Sequence, residues 1–413
     1  IALFKTRCFN LILIIGLILI IGEQTFYLIL NNNFDDLPMA GLYIHIPFCR
    51  SKCFYCDFFS KGEGGETDAY VDALLAEWRL RKVELDEEVK TIYLGGGTPS
   101  LMSDKQLHRL IAGIGSYVEI NRLQEFTIEA NPEDISIGKI NTWRGLGINR
   151  ISIGIQSFNA RELSAIGRQH SAEASSLALE ALQQSGINYS ADLIYGLPGQ
   201  SIEDWTENLN RLLSFRPPHF SAYLLSYEPG TRLYAMRENG KVSESDEATV
   251  CRMYDILCRS AERNGYGHYE ISNFALPGME GRHNSAYWNL TPYLGLGTSA
   301  HSFDGFLRRY NPLNIRQYVT ETAEGKTVYE IDDETNLNRF NDYVITSLRT
   351  RDGFCEDFAE TKFGSELTTR FLSNCRMLLP ASQPALKRNV TGNIIIPETL
   401  WLRSDAIFRE IIL

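Results

Sequence analysis

The chain has 413 residues, of which 22% are charged and 44% hydrophobic, with a net charge of −11 and eight cysteines. That length allows a large core and two or three domains, and the composition is that of an ordinary globular protein. The acidic balance argues against a general nucleic-acid binder, which would carry a basic footprint. Three cysteines are clustered and others, among them Cys251, Cys258, Cys355 and Cys375, are scattered. This usage is no disulfide framework and suggests a reducing compartment.

The chain opens on Lys5 and Arg7 ahead of an apolar run over 11–20. A basic start before a short apolar core has the form of a signal peptide. The run is short of the ~20 apolar residues of a membrane span, and Glu23, Gln24 and Thr25 interrupt it. Met39 stands just before the first strand. The preferred reading of 1–38 is therefore an apolar extension ahead of a natural start at Met39; a membrane anchor is the other.

From residue 42 onward, short apolar runs alternate with amphipathic stretches. The pattern predicts strands over 42–46, 91–94, 125–129, 150–155, 189–195 and 220–225, each bounded by Gly, Pro or Asn. Between the first two, Val71, Leu74, Leu75 and Trp78 recur at helical spacing. Ser103 with Gln106 and Ser201 with Asp204 are helix starts. Alternation of this kind implies an α/β fold with a parallel sheet and helices outside. Six such units predict a partial (β/α)6 barrel over 39–268, whose functional groups belong at the C-terminal ends of the strands. After about Tyr227 the pattern fades. A long helix over 247–264 puts Cys251 and Cys258 seven apart, as small apolar groups facing the core. Residues 269–413 predict a smaller mixed α+β, mainly helical domain. It has helices near 337–348 and 355–363, a hairpin of 389–396 with 399–402, and a last helix from Ser404.

The chemistry concentrates in Pro47-Phe48-Cys49-Arg50-Ser51-Lys52-Cys53-Phe54-Tyr55-Cys56. The spacing C-x3-C-x2-C lets one loop wrap a metal centre, one thiolate short of a closed shell of four. A cubane held at three corners leaves one iron open to a ligand. A zinc knuckle, with His45 or a distant residue as fourth ligand, is the alternative. Further candidates stand at strand ends or inside the strands. They are Tyr43, Tyr55, the run Gly95-Gly96-Gly97-Thr98-Pro99, Glu129, Gln156 with Arg168 twelve residues on, and Asp192. A buried acid such as Asp192 needs a partner. The plainer readings are packing for the tyrosines, a turn for the glycines and a solvated helix charge for Arg168.

The cysteine loop resembles that of the radical S-adenosylmethionine (SAM) superfamily. The resemblance implies a 4Fe-4S cluster on Cys49, Cys53 and Cys56, whose open iron is chelated by SAM. It implies SAM contacts for Tyr43 and for Tyr55, which stacks on the adenine. It assigns the SAM amino group to Gly96, Gly97 and Thr98, the ribose hydroxyls to Glu129, and the methionine end to Gln156 and Arg168. Asp192 makes a further SAM contact.

Two further stretches narrow the resemblance: Cys56-Asp57-Phe58 and Arg282-His283-Asn284-Ser285-Ala286-Tyr287-Trp288. Over 39–413 the chain resembles the HemW heme-chaperone family, related to oxygen-independent coproporphyrinogen III oxidases. This implies heme as a ligand touched by His283, since imidazole is a normal axial ligand of heme iron. A hydrogen-bonded core histidine beside Trp288 is the alternative. It also implies apo heme proteins of the respiratory chain as recipients. The place of action is then the cytoplasm, with association at the membrane surface, and no nucleic acid is involved. Phe58 stands where the oxidase carries a fourth cysteine, and 1–38 do not resemble that enzyme's substrate-guarding segment. Oxidative decarboxylation of coproporphyrinogen is thus the second reading. A radical SAM enzyme modifying tRNA is the third, and would need an RNA-binding module or basic surface.

Overall fold

Six strands run parallel, and each is bonded to the next in chain order: β1 (Ala40–Ile46), β2 (Val89–Gly96), β3 (Glu125–Ala130), β4 (Arg150–Gln156), β5 (Asn188–Tyr195) and β6 (His219–Leu224). The computed structural model describes residues 40–413 apart from 63–66, 86, 333–334, 377 and 379–383. The apolar segment 1–38 lies outside the described residues. Between the strands run α1 (Thr67–Arg81), α2 (Asp104–Gly115), α3 (Ile137–Gly145), α4 (Ala160–Ala165), α5 (Ala172–Ser185) and α6 (Ile202–Ser214). Both capping boxes are present. Ser103 and Gln106 bond reciprocally at the start of α2, as do Ser201 and Asp204 at the start of α6. Each satisfies two amides that a helix start otherwise leaves without a partner.

The strands alternate strictly. One set of side chains, including Leu42, Ile44, Ile92, Leu94, Phe126, Ile128, Ile151, Ile153, Leu193 and Phe220, belongs to the main buried core. The helices contribute Leu74, Trp78, Leu110, Leu179 and Trp205 to it. Burying each large apolar side chain contributes about 1.5–3 kcal/mol, which is what holds helix to sheet. The other set is polar, and its members bond one another. Tyr93 donates to Glu129, Thr127 to Glu125, Ser152 to Asp192, and Ser190 pairs with His219. Pairing is required because an isolated buried polar group costs several kcal/mol. The predicted α/β class with a partial parallel barrel is the fold observed.

The sheet is wider than the six strands. The added strands are β7 (Gly267–Glu270), β8 (Asn273–Ala275), β9 (Tyr293–Leu296), β10 (His301–Phe303), β11 (Arg308–Tyr310) and β12 (Glu330–Asp332). Among the described residues the order is β12-β11-β10-β9-β1-β2-β3-β4-β5-β6-β8-β7, twelve strands in all. β9 lies parallel to β1 and so makes a seventh parallel strand. β7, β8 and β10–β12 continue the two edges in antiparallel ladders. Three or four residues are too few for a period of two to show, so these strands escaped the sequence pattern.

Downstream come α7 (Arg232–Glu238), α8 (Glu247–Arg263), α9 (Arg282–Trp288), α10 (Ile315–Ala323), α11 (Asn336–Leu348), α12 (Glu356–Phe363), α13 (Ser365–Cys375) and α14 (Ser404–Ile411). Two expectations are corrected. The C-terminal hairpin is a two-residue ladder, Lys387–Arg388 with Ile394–Ile395, and 399–402 fall in a 3₁₀ turn, Glu398–Arg403. Pro397 has no N–H to extend a ladder, and Trp401 turns inward, its indole N–H on the Ile396 carbonyl. Cys258 packs against the core, but Cys251 instead accepts from Arg403 Nη2 at 3.5 Å. Among the described residues no helix is long and apolar enough to cross a membrane.

Candidate cluster and cofactor site

The cysteine loop leaves β1 and is tied down on several sides. Phe48–Cys49 pairs with Lys61–Gly62. Phe54 N donates to the Ile166 carbonyl at 2.9 Å, and Leu233 N donates to the Phe54 carbonyl at 2.7 Å. The Arg232 guanidinium lies 3.8 Å from the Phe54 ring centroid. Arg50 pairs with the buried Asp134 at 2.7 Å, and Ser100 donates to the same carboxylate. All three cysteines are half-buried and free of disulfides. Cys49 Sγ accepts from Thr98 Oγ1 at 3.6 Å, and Cys53 Sγ from Arg168 Nη1 at 3.5 Å. Burial raises the Cys49 thiol and pushes Cys56 up to about 11. Thiolates here therefore need nearby positive charge, from a metal or from Arg168. His45 points away from that role. Its Nδ1 meets Tyr43 Oη and its Nε2 meets the Phe59 carbonyl, each at 2.9 Å. Neither ring nitrogen is left for a zinc ion.

The other strand ends converge on the same mouth. Gly97 N and Thr98 N donate to the Ile46 and Phe48 carbonyls at 2.8 Å, which locks the glycine run to the cysteine loop. A Cβ on Gly97 would come 2.7 Å from the Phe48 carbonyl oxygen, so only glycine permits that approach. Glu129 accepts from Tyr93 Oη and from Gly96 N, both at 2.9 Å. Burial lifts its carboxyl to about 7 against those two donors. Burial also raises Asp192, opposed by hydroxyls of Ser221 and Ser152. Gln156 sits at φ 58 on an irregular step of β4. Arg168 donates to the Gly154 carbonyl, and a Cβ on Gly154 would lie 2.6 Å from its Nη2. Tyr43 stacks on Tyr93 with ring centroids 6.2 Å apart. Tyr55 packs with Ile194, Leu197 and Leu225 in a second apolar cluster.

The donor set fits the two cofactors. Two buried atoms at the mouth, Gln156 Oε1 and Arg168 Nε, have no partner among the described residues. Such atoms are uncommon unless a ligand or water satisfies them. Two acids, a guanidinium and an unpartnered amide suit a small molecule carrying both charges. Three half-buried thiols within one loop suit a cluster held at three corners.

His283 lies elsewhere. It is buried beside the starts of β1, β2 and β3, at the opposite end of the barrel. Its Nδ1 meets Thr91 Oγ1 and its Nε2 meets Tyr287 Oη, both at 2.8 Å. The ring stacks on Tyr93 at 5.2 Å. Glu125 accepts from Arg282 N at 2.8 Å and from His283 N at 3.4 Å. A carboxylate thus sits at the positive end of α9, the favourable placement. Burial, partly opposed by Glu125, lowers the His283 imidazole to about 4. The run around His283 forms the floor of the barrel.

Three groups of contributors were not read from sequence. Tyr93 joins mouth to floor, donating to Glu129 while stacking on His283. Arg50 and Asp134 anchor the loop. Glu162 Oε2 accepts from Ser157, Asn208 and Gln200, and Gln200 Oε1 accepts from Gly196 N. That buttress holds the turns after β4 and β5. The available signal was the polar member of each alternating pair, such as Thr91-x-Tyr93, which a search for apolar runs passes over.

A loop of three cysteines after the first parallel strand, facing strand ends that carry acids and an arginine, defines a radical SAM protein, and the Radical SAM superfamily model matches residues 43–212. Within that class, the chain belongs to the HemW family. It is 35% identical over 323 residues to the heme chaperone HemW of Lactococcus lactis subsp. lactis, covering 78% of this chain and 84% of that one. It is 34% identical over 342 residues to that of Bacillus subtilis, covering 81% and 90%. It is 38% identical over 359 residues to that of Escherichia coli K12, covering 82% and 93%. The solved coproporphyrinogen III oxidase HemN of Escherichia coli, a radical SAM enzyme, has the same fold. Its TM-score is 0.76 at 23% identity, over 95% of this chain and 94% of that one.

Proposed function

We propose that this chain is a heme chaperone of the cytoplasm that carries a 4Fe-4S cluster and SAM, binds heme and delivers it to apo heme proteins of the respiratory chain. The observation that carries the reading is the likeness to relatives named heme chaperone HemW over most of their length. Phe58 at the position of the oxidase's fourth cysteine supports it over the enzyme.

In this proposal Cys49, Cys53 and Cys56 hold the cluster. Gly96, Gly97 and Thr98 line the amino end of SAM, and Gln156 and Arg168 its carboxylate, for which a guanidinium offers bidentate geometry. Glu129 accepts from the ribose hydroxyls in its ionised form, and Asp192 adds a second acceptor. Tyr43 and Tyr55 flank the ligand and exclude water. When bound, the cluster supplies one electron to the sulfonium. Arg168 Nη1, 3.5 Å from Cys53 Sγ, offsets negative charge at the loop. Residues 39–268 carry the cofactors, and 269–413 the heme-handling part. Contact of heme with His283 requires the ring to give up its bonds to Thr91 and to Tyr287 of its own helix, since both ring nitrogens are bonded.

The test is anaerobic reconstitution followed by heme titration in visible light, with His283→Ala alongside. A Soret shift in the wild type, reduced in the variant, is expected. No shift in the wild type would remove the chaperone reading. Expression in a strain lacking coproporphyrinogen III oxidase separates the enzyme: growth there would reassign the chain.

A further inference from the structure

We propose that Cys258, His268 and Glu398 form a zinc site, apart from the cofactor mouth, that pins the C-terminal segment to the barrel edge. Cys258 lies on α8, His268 on β7, and Glu398 opens the 3₁₀ turn Glu398–Arg403. One ligand atom from each lies within 4.8 Å of the other two. Cys258 Sγ is 3.9 Å from His268 Nδ1, and Glu398 Oε1 is 2.7 Å from that same nitrogen. Tetrahedral zinc holds sulfur at about 2.3 Å and nitrogen or oxygen at about 2.0–2.2 Å, which sets neighbouring donors about 3–4 Å apart. Small side-chain adjustments reach that arrangement.

The hydrogen-bond geometry around the three groups can hold a cation. His268 Nε2 faces the Ile271 carbonyl at 3.3 Å, and a carbonyl only accepts. Nε2 therefore carries the proton when that bond forms, and Nδ1 presents a lone pair to a carboxylate. Two acceptors 2.7 Å apart need a proton or a metal ion between them. A second proton on the ring satisfies the imidazole and the carboxylate, while the half-buried Cys258 thiol bonds Tyr254. A divalent ion satisfies the imidazole, the carboxylate and the thiolate together, and the two negative charges neutralise it. The carbonyl on the far nitrogen also orients the ring, as such partners do for metal-binding histidines. The ring is held between Phe274, stacked at 4.0 Å, and Trp401, edge-on at 4.5 Å. Its side chain is 4% exposed while that of Glu398 is 48% exposed, so the fourth position opens toward water on the carboxylate side. Sulfur, imidazole and carboxylate together suit zinc better than calcium or magnesium. On binding, the Cys258 thiol proton leaves to solvent as the sulfur–zinc bond forms.

The experiment uses the full chain with its cluster loaded, equilibrated with zinc ion and desalted, with zinc and iron counted by elemental mass spectrometry. About one zinc per chain is expected beside the cluster iron. Cys258→Ser and Glu398→Gln should each weaken zinc binding about tenfold or more. Iron content should stay unchanged, and the zinc-dependent rise in melting temperature should disappear. Glu398 is on the surface, so its variant reports on zinc even if Cys258→Ser folds poorly. A wild type that keeps no zinc, or variants that keep it equally, would overturn the site and leave an imidazole–carboxylate ion pair.

Discussion

The mouth and the floor of the barrel are built from the same strands, yet they differ in how their polar groups are spent. At the mouth, Gln156 Oε1 and Arg168 Nε are buried without partners among the described residues, and Glu129 is lifted to about 7. At the floor, both ring nitrogens of His283 are bonded within 2.8 Å, and Glu125 caps α9. Arg150 Nε at the floor is likewise buried without a partner among the described residues, so the contrast rests on His283 and Glu125, whose bonds hold that end together. Tyr93 lies between the two and belongs to both.

The comparison predicts that substitutions at the mouth change cluster and SAM binding, while those at the floor leave SAM binding and change stability and heme contact. The largest effect is at the loop. Cys53→Ser should lower iron from about four per chain to background in anaerobically reconstituted protein, measured by elemental analysis. Next, His283→Ala should cost about 2–4 kcal/mol in denaturant unfolding, from a cavity and lost hydrogen bonds. SAM affinity should change by less than about threefold. A larger loss of SAM binding than of stability would break the distinction. Third, Glu129→Gln should weaken SAM binding about 10- to 100-fold, the scale of hydrogen bonds to a charged acceptor, by calorimetry.

The pH dependence sharpens the same contrast. Glu129 is raised from 4.5 to about 7 in the fold. Between those values the folded protein holds a proton that the unfolded chain releases. Its contribution to stability is therefore present below about 4.5 and is lost as pH rises through about 7. SAM affinity should run the other way, rising as pH passes about 7 and the carboxylate ionises; a flat profile across that range would sink the assignment of Glu129. The smallest effect is Tyr93→Phe. Removing a donor that lowers the Glu129 carboxyl should move the SAM pH midpoint upward and cost about three- to tenfold in affinity at neutral pH.

Local pattern was enough for the six parallel strands, the two capping boxes and the order of the mouth residues along the chain. Each depends on neighbours a few positions apart: the bounded apolar runs, Ser103 with Gln106, and three cysteines within eight residues. The resemblance, too, rested on contiguous stretches. The short strands β7–β12 were not legible, because a three-residue strand exists only by virtue of the edge it joins. The surroundings of His283 were not legible either. Heme contact and a bonded core histidine read alike in sequence, and the neighbours of His283 come from two other segments: Thr91 and Tyr93 of β2 meet the ring, and Glu125 of β3 accepts from its backbone N–H.

Sequence alone determined where the thiols cluster and that strands must alternate with helices, because periodicity and spacing are properties of neighbouring residues. Tertiary structure decided that the acids and Arg168 gather at one end of the strands while His283 is buried at the other. It also decided that Cys258, His268 and Glu398, the last of these 130 residues beyond His268 in the chain, share a corner. Contacts between distant segments depend on strand register and packing, and neither is written in any single stretch.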